Sequence, residues 1–320
     1  MGMLIQGVWH DVWYDTRKTD GAFVRVDSAF RDRVTADGSS GFRAEPGRYH
    51  LYVSLACPWA HRTLIIRALK GLESILPISV VDPFMGSKGW TFTNGPGCIP
   101  DTVNGATRLY ELYVRTKADY TGRVTVPVLW DVKTGRIVNN ESSEIVRMLN
   151  REFASFATRR VPDLYPDSLR ADIERWNTRI YHTVNNGVYR SGFATTQEKY
   201  EEAVTELFDT FDVLEQHLAA HRYLCGSQIT EADWRLFPTL VRFDAVYHGH
   251  FKCNLRRLID YPRLWAYARD LYQVPGVAAT VNLSHIKEHY YRSHESINPT
   301  RIVPKGPLLD FTTPHGRERL

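Results

Sequence analysis

Cysteine is scarce in this sequence, with four in 320 residues, and no two of them form a Cys-x-x-Cys pair. No cysteines and histidines follow the spacing of a zinc finger. These absences argue against a disulfide framework and against a dithiol redox motif, and we expect no bound metal. Cysteines without pairing partners are typical of a reducing compartment, which predicts a cytoplasmic protein. The four are Cys57, Cys98, Cys225 and Cys253.

Long apolar runs and long basic runs are also missing. No apolar stretch approaches the ~20 residues that span a bilayer. The first residues lack the basic and apolar regions of a signal peptide, and Gln6 stands where myristoylation requires Ser or Thr. The 40 basic residues are scattered, and the formal net charge is only +4. We therefore expect neither nucleic-acid binding nor membrane binding.

The composition is that of a globular protein with a large core. Apolar residues make up 43% of the chain and charged residues 24%. The length suits two domains. We expect an aromatic-rich extension packed on the body at residues 1–48, domains at 49–155 and 165–290, and a tail at 291–320.

The first predicted domain follows the order β-α-β-α-β-β-α. A strand at residues 49–54 leads into a helix whose apolar residues recur at helical spacing as far as Leu72. Residues 83–107 are rich in glycine and proline and predict an inserted loop, which at this length is usually functional or an insertion. Residues 126–138 carry a hairpin signal, with Gly135 at the turn.

After residue 165 the strand signals stop and the pattern predicts an all-helical domain. The apolar periodicity from Leu169 to Val184 predicts one helix. Thr230 and Asp233 resemble a capping box that opens another helix.

Cys57 is the candidate reactive residue, because it lies where the first strand meets the first helix. Pro58 follows at the first helical position, where its missing N–H costs nothing. A helix N-terminus favours a thiolate over a thiol, whereas a lone cysteine elsewhere is usually a small buried hydrophobe. Position 60 is alanine, so an external thiol must resolve any mixed disulfide. His61 is interpreted as structural or solvent-facing more readily than as a base.

Two further pairs suggest a ligand for this thiol. A cis bond before Pro127 would present the backbone N–H and C=O of Val126 to a ligand. Glu141 and Ser142 open a helix directly after the hairpin. They could be an ordinary N-cap, or they could bind the ammonium and carboxylate groups of an amino acid.

With these features in place, the sequence resembles the glutathionyl-hydroquinone reductases, the xi class of cysteine-type, omega-like glutathione transferases. The resemblance extends from residue 7 to the tail. It implies a thioredoxin-like N-terminal domain followed by an all-helical glutathione-transferase domain, and it implies a homodimer. It is carried by the Gly7-Val8-Trp9-His10-Asp11 run, Cys57-Pro58-Trp59-Ala60-His61-Arg62, Gly89-Trp90-Thr91-Phe92, Asn185-Asn186-Gly187-Val188-Tyr189-Arg190, Arg242-Phe243-Asp244-Ala245-Val246-Tyr247 and His250-Phe251-Lys252-Cys253-Asn254.

The resemblance also implies roles for individual residues, with glutathione as co-substrate. Cys57 matches the catalytic cysteine, and Tyr189 and Tyr290 match phenols that contact the hydroquinone, with Tyr291 as the alternative to Tyr290. The implied glutathione contacts are Trp90, Arg123, the backbone of Val126 before Pro127, and the pair Glu141 and Ser142.

The implied reaction is removal of glutathione from a glutathionyl-hydroquinone through a mixed disulfide at Cys57. Two alternatives stay open. A broader omega-like thioltransferase or dehydroascorbate reductase needs the same cysteine but not the two tyrosines. A non-catalytic transferase-fold binding protein needs neither, although such proteins tend to lose the thiol or the Glu-Ser pair.

Overall fold

The computed structural model describes residues 2–320, which form two compact units. The first unit contains the described residues up to Trp13, together with Val26–Pro162 and Ala279–Ser293. The second contains Tyr14–Arg25, Asp163–Ala278 and His294–Leu320. The boundaries of these two units differ from the segment boundaries expected from the sequence. The expected segment boundaries stay a prediction.

The core of the first unit is a four-stranded mixed sheet. The sheet contains β3 (Tyr49–Val53), β4 (Ile78–Val80), β6 (Val128–Asp131) and β7 (Arg136–Asn139). The strand order in the sheet is β4-β3-β6-β7, with β4 parallel to β3 and the other neighbours antiparallel. All five residues of β3 are buried, as expected for the central part of a sheet covered on both faces.

Three helices alternate with these strands and give the predicted order β-α-β-α-β-β-α. Helix α1 ends at Gly71, which adopts the left-handed conformation (φ 65°) that favours glycine at this position. In helix α3 the apolar residues lie on one buried face, as its sequence pattern predicts. The helices are α1 (Pro58–Lys70), α2 (Tyr110–Thr116) and α3 (Ser142–Arg151).

A second, three-stranded sheet was not anticipated from the sequence. Strands β1 (Met3–Ile5) and β2 (Val8–His10) form a hairpin, and β1 also pairs with β5 (Gly122–Arg123). Trp9 secures this sheet, because its indole stacks on Tyr110 at 5.0 Å and its Nε1 donates to the Ser87 carbonyl at 2.8 Å.

The segment between β4 and α2 contains isolated bridges but no strand or helix. Asp101, 6% exposed, organises its second half by accepting hydrogen bonds from the Tyr52 hydroxyl and from the N–H groups of Val103, Asn104 and Ala106. The first half contacts helix α9 (Leu283–Ser293), which groups with this unit.

The second unit is built mainly of helices. The helix predicted between Leu169 and Val184 is interrupted: α4 ends at Ile180 and a π-helical turn follows at Tyr181–Asn185. The predicted capping box is present, since Thr230 N–H donates to the Asp233 carboxylate at 2.8 Å. The helices are α4 (Arg170–Ile180), α5 (Gly187–Gly192), α6 (Gln197–His217), α7 (Glu231–Arg242) and α8 (Pro262–Tyr272).

The tail lies against this helical unit. Phe311 packs between Trp265 and Tyr272, and Arg317, 2% exposed, donates to the carbonyls of Leu218, His221 and Arg222 just beyond α6. A cation at a helix C-terminus complements the helix dipole. Across residues 2–320, we find no helix with the length and apolar character needed to cross a bilayer.

Candidate active site

Cys57 is the N-cap of α1, as the sequence predicted. Its backbone is extended (φ −74°, ψ 121°), Pro58 occupies the first turn, and the Ala60 N–H points to the sulfur at 3.5 Å. The side chain is partly exposed. An N–H donor and the positive end of a 13-residue helix both stabilise a thiolate at this place.

Val126 lies beside the same sulfur, and the peptide bond between Val126 and Pro127 is cis. The Cys57 thiol is 3.5 Å from the Val126 carbonyl oxygen. Within residues 2–320 the Val126 N–H has no hydrogen-bond acceptor. A peptide-like ligand could therefore accept from this N–H while its own sulfur lies near Cys57.

His61 is not solvent-facing. It is fully buried, and its Nε2 lies 2.8 Å from the Thr280 hydroxyl, in the turn that precedes α9. This environment agrees with the structural interpretation of His61.

The three other cysteines are poor nucleophiles. Burial raises the pKa of Cys98, raises that of Cys225 to about 11 and raises that of Cys253 to about 12. At neutral pH their thiols stay protonated, and a protonated thiol reacts slowly.

Glu141 and Ser142 lie at the N-terminus of α3 and differ in how they are bonded. Glu141 is the N-cap: its Oε1 accepts from the N–H and hydroxyl of Ser143 and its Oε2 accepts from Ser28. Ser142 is 3% exposed, and its hydroxyl finds no partner in the part of the chain that the structure describes. The Ser142 N–H also has no acceptor there, whereas the next two N–H groups of α3 donate to Glu141. An unbonded hydroxyl beside a free N–H at a helix N-terminus suits a carboxylate ligand.

Trp90 and Arg123, both expected to contact glutathione, come from different parts of the first unit. The Trp90 indole is 5% exposed and stacks on the His289 ring, with ring centroids 4.8 Å apart. Arg123 is in β5, and its Nη1 donates to the Val12 carbonyl. Each therefore has a protein partner that positions it.

Tyr290 and Tyr291 are neighbours on α9 with different exposure. Tyr290 is 1% exposed and its ring meets the His289 ring edge-on at 5.2 Å. Tyr291 is partly exposed, and burial raises its pKa. The choice between them as the substrate phenol stays a prediction.

Tyr189 belongs to the second unit, on the short helix α5. It is partly exposed and its ring lies 5.5 Å from Phe251 and 6.1 Å from Tyr247. The Arg25 guanidinium lies over the ring at 4.8 Å. A cation over a phenol ring stabilises negative charge on that phenol.

The first unit thus brings together most of the predicted site residues, while Tyr189 is in the second. Sequence reasoning missed two residues that contact them, His289 beside Trp90 and Arg25 over Tyr189. One feature of the sequence could have pointed to His289: His285 precedes it by four residues, which places both on the same side of a helix. Among the described residues, no group of three or more His, Cys, Asp or Glu side chains is arranged to hold a metal.

Comparison with known proteins identifies the family of the chain. Residues 56–152 match the family model described as "Glutathione S-transferase, N-terminal domain", and residues 197–270 match "Glutathione S-transferase, C-terminal domain". Over 308 residues, covering 96% of each chain, the sequence is 58% identical to glutathionyl-hydroquinone reductase PcpF of Sphingobium chlorophenolicum. The chain belongs to the glutathionyl-hydroquinone reductase family. The predicted thioredoxin-like and helical glutathione-transferase architecture is thereby confirmed.

Solved structures of this family extend the likeness to three dimensions. A xi-class glutathione transferase from Natrialba magadii has a TM-score of 0.94 at 50% identity, covering 100% of this chain and 97% of that one. Glutathionyl-hydroquinone reductase YqjG of Escherichia coli K12 is 55% identical over 325 residues. Its glutathione-bound structure has a TM-score of 0.92 and covers 99% of each chain.

Proposed function

We propose that this enzyme removes glutathione from glutathionyl-hydroquinones, with Cys57 as the nucleophile and glutathione as co-substrate. The observation that carries the proposal is a partly exposed thiol at the N-cap of α1, with an N–H donor at 3.5 Å and alanine in place of a second cysteine. Membership of the glutathionyl-hydroquinone reductase family supports the choice of substrate.

In the first half-reaction, the Cys57 thiolate attacks the glutathione sulfur of the substrate. A disulfide forms between the two sulfurs, the bond between that sulfur and the ring carbon breaks, and the ring carbon takes up a proton. Tyr189 and Tyr290 are proposed to hydrogen-bond the ring oxygens and to stabilise a ketone-like ring while the proton is added.

In the second half-reaction, a new glutathione attacks the mixed disulfide. Oxidised glutathione leaves and the Cys57 thiol is regenerated. The two sulfurs are oxidised to a disulfide while the ring carbon is reduced, so each hydroquinone is matched by one oxidised glutathione. The first product leaves before the second substrate reacts with the covalent enzyme intermediate, which predicts ping-pong kinetics.

Two groups of the proposed glutathione site, the Val126 N–H and the Ser142 hydroxyl, have no other partner among the described residues. The Val126 N–H would pair with the ligand backbone, and the hydroxyl and N–H of Ser142 would bind the γ-glutamyl carboxylate. Glu141 would bind the ammonium group, while Trp90 would pack on the tripeptide and Arg123 would contact it.

The test is to incubate the protein with a glutathionyl-hydroquinone and excess glutathione, and to quantify free hydroquinone and oxidised glutathione. We expect equal amounts of the two products. Cys57→Ala should form neither product, and Cys225→Ser is the matched control, since burial keeps that thiol protonated. Absence of product with the wild type, or full activity of Cys57→Ala, would refute the proposal.

The tyrosine roles are tested separately in the same assay. Tyr189→Phe and Tyr290→Phe should slow hydroquinone release but leave reduction of a small glutathione mixed disulfide unchanged. If both variants retain wild-type hydroquinone release, the tyrosine roles are wrong. Preferential turnover of dehydroascorbate by the wild type would favour the broader omega-like activity.

We also propose a homodimer in the cytoplasm, on the strength of the family resemblance. All four cysteines are free, which suits a reducing compartment. Sedimentation equilibrium would test the dimer, and a monomer at micromolar concentration would contradict it. Cell fractionation would test the location.

A further inference from the structure

Helix α9 holds the loop that carries Trp90 through side chains on one face. His285, His289 and Ser293 are four residues apart, and residues at this spacing project from the same side of a helix. Each contacts the main chain of the loop. We call these three residues the loop clamp.

His289 is the central residue of the loop clamp and contacts the loop in two ways. Its Nδ1 lies 2.9 Å from the Pro83 carbonyl oxygen, and since a carbonyl only accepts, Nδ1 carries the proton. Its ring stacks on the Trp90 indole with an interplanar angle of 24°. The two side chains are 6% and 5% exposed, so their relative orientation is restricted.

The outer clamp residues secure the loop on either side of Trp90. His285 Nε2 donates to the Pro96 carbonyl at 2.6 Å, and the Met85 N–H donates to the Ser293 hydroxyl at 2.9 Å. His285 is 3% exposed. The loop is therefore tied to α9 before and after the indole.

The loop needs such anchors because it has little regular structure of its own. Its internal backbone bonds include Gly89 N–H to Gly86 and Asp82 N–H to Thr91, but no helix or strand forms there. Contacts from outside the loop consequently contribute to where the Trp90 indole points.

We propose that His289 is a positioning residue that holds Trp90 in the orientation needed to pack on glutathione. The inference rests on the proposed function, which assigns the glutathione contact to Trp90. The adjacent residue Tyr290 is carried by the same helix. Helix α9 would thus set the indole and the proposed substrate phenol with respect to each other.

Two substitutions separate the two contacts of His289. His289→Phe keeps a ring to stack on Trp90 but removes the donor to Pro83, and His289→Asn keeps a donor but removes the ring. His289→Ala removes both. The matched control is His217→Ala in the helical unit, because His217 lies 4.8 Å from the Trp176 ring and its Nε2 is 3.1 Å from the Leu224 carbonyl.

Binding of reduced glutathione is measured by calorimetry on the full-length proteins, together with steady-state kinetics. We expect His289→Ala to raise the Kd and the KM for glutathione by about tenfold and to change kcat much less. His289→Phe should restore part of the affinity, and His217→Ala should leave the Kd unchanged. Hydrogen exchange of the Met85 amide should accelerate in His289→Ala but not in the control.

Wild-type glutathione affinity in a folded His289→Ala variant would overturn the inference. If that variant does not fold, wild-type affinity in both His289→Phe and His289→Asn would overturn it instead. A Kd raised equally in His217→Ala would also contradict it, since the effect would then be general destabilisation. Glutathione binding is measured without turnover. If the Kd changes in the His289 variants as expected but the wild type releases no hydroquinone, the result counts against the proposed function and not against the role of His289.

Discussion

The Cys57 sulfur lies 3.5 Å from the carbonyl oxygen of Val126, a residue 69 positions further along the chain. The N–H of Val126 has no acceptor within residues 2–320, so one residue offers a free backbone donor next to the thiol. In the glutathione site proposed above, a tripeptide paired with this N–H would have its sulfur near Cys57.

The four cysteines should differ in their rate of alkylation. With limiting iodoacetamide at neutral pH, we expect Cys57 to be modified at least about tenfold faster than the others. Burial keeps Cys98, Cys225 and Cys253 protonated, with pKa values of about 11 and about 12 for the last two. Peptide mass spectrometry provides the rates, and faster labelling of Cys225 would contradict the assignment.

Ser142 and Glu141 should respond differently to replacement by alanine. Ser142→Ala should weaken glutathione binding about tenfold but change the free energy of unfolding by less than about 0.5 kcal/mol, because its hydroxyl has no partner within the described residues. Glu141→Ala should weaken binding and also cost about 1 kcal/mol, since Glu141 caps α3. Calorimetry and urea unfolding separate the two effects. Normal binding in Ser142→Ala would exclude the hydroxyl from the site.

His50 should make the protein less stable in mild acid. Burial lowers its pKa from 6.5 to about 4, and its side chain is 1% exposed beside Ser79. Between these pH values the unfolded chain binds the proton and the folded chain does not. Stability is therefore complete above the unfolded pKa and falls with pH by up to about 1.4 kcal/mol per unit.

The contribution of His50 is isolated by comparing wild type with His50→Gln. Gln can still bond to Ser79 but does not titrate, so its stability should fall less across the same window. The free energy of unfolding in urea is measured for both proteins above pH 6.5 and between pH 6.5 and about 4. Identical pH dependence in the two proteins would show that another group is responsible.

Two glycines of α5 should differ in their tolerance of a methyl group. A Cβ at Gly192 would lie 2.2 Å from the Phe251 ring, which itself packs on Tyr189. Gly192→Ala should therefore destabilise the helical unit by about 1–3 kcal/mol and lower kcat by displacing these rings. Gly187→Ala, whose nearest neighbour is 3.5 Å away, is the control and should be neutral or stabilising. Equal stability of the two variants would contradict this packing argument.

Local signals in the sequence predicted the parts of the fold that depend on neighbouring residues. Pro58 after Cys57 marked the start of α1, and Gly135 (φ 65°) marked the hairpin turn. The capping box of Thr230 and Asp233 was also recognisable, because its two residues are three apart. Capping and turn chemistry act over a few residues, so they can be read without the tertiary structure.

Features that depend on distant contacts could not be predicted in this way. Strand β1 has three residues and gains its partner β5 from more than a hundred positions away. The bond between His289 and Pro83 spans 206 residues, and periodicity gave no sign of it. The π-helical turn after Ile180 also escaped detection, since it keeps the apolar residues near helical spacing.

The pairing of β1 with β5 limits how far the protein can be shortened at its N-terminus. A designer seeking a minimal reductase would be tempted to start at Tyr49, where the first obvious strand appears. Such a start would strip β5 of its neighbour and expose a backbone edge beside Arg123, and Trp9 would no longer cover Tyr110. The residues up to Trp13 are therefore an integral part of the first unit, and expression boundaries drawn from the family models alone would remove them.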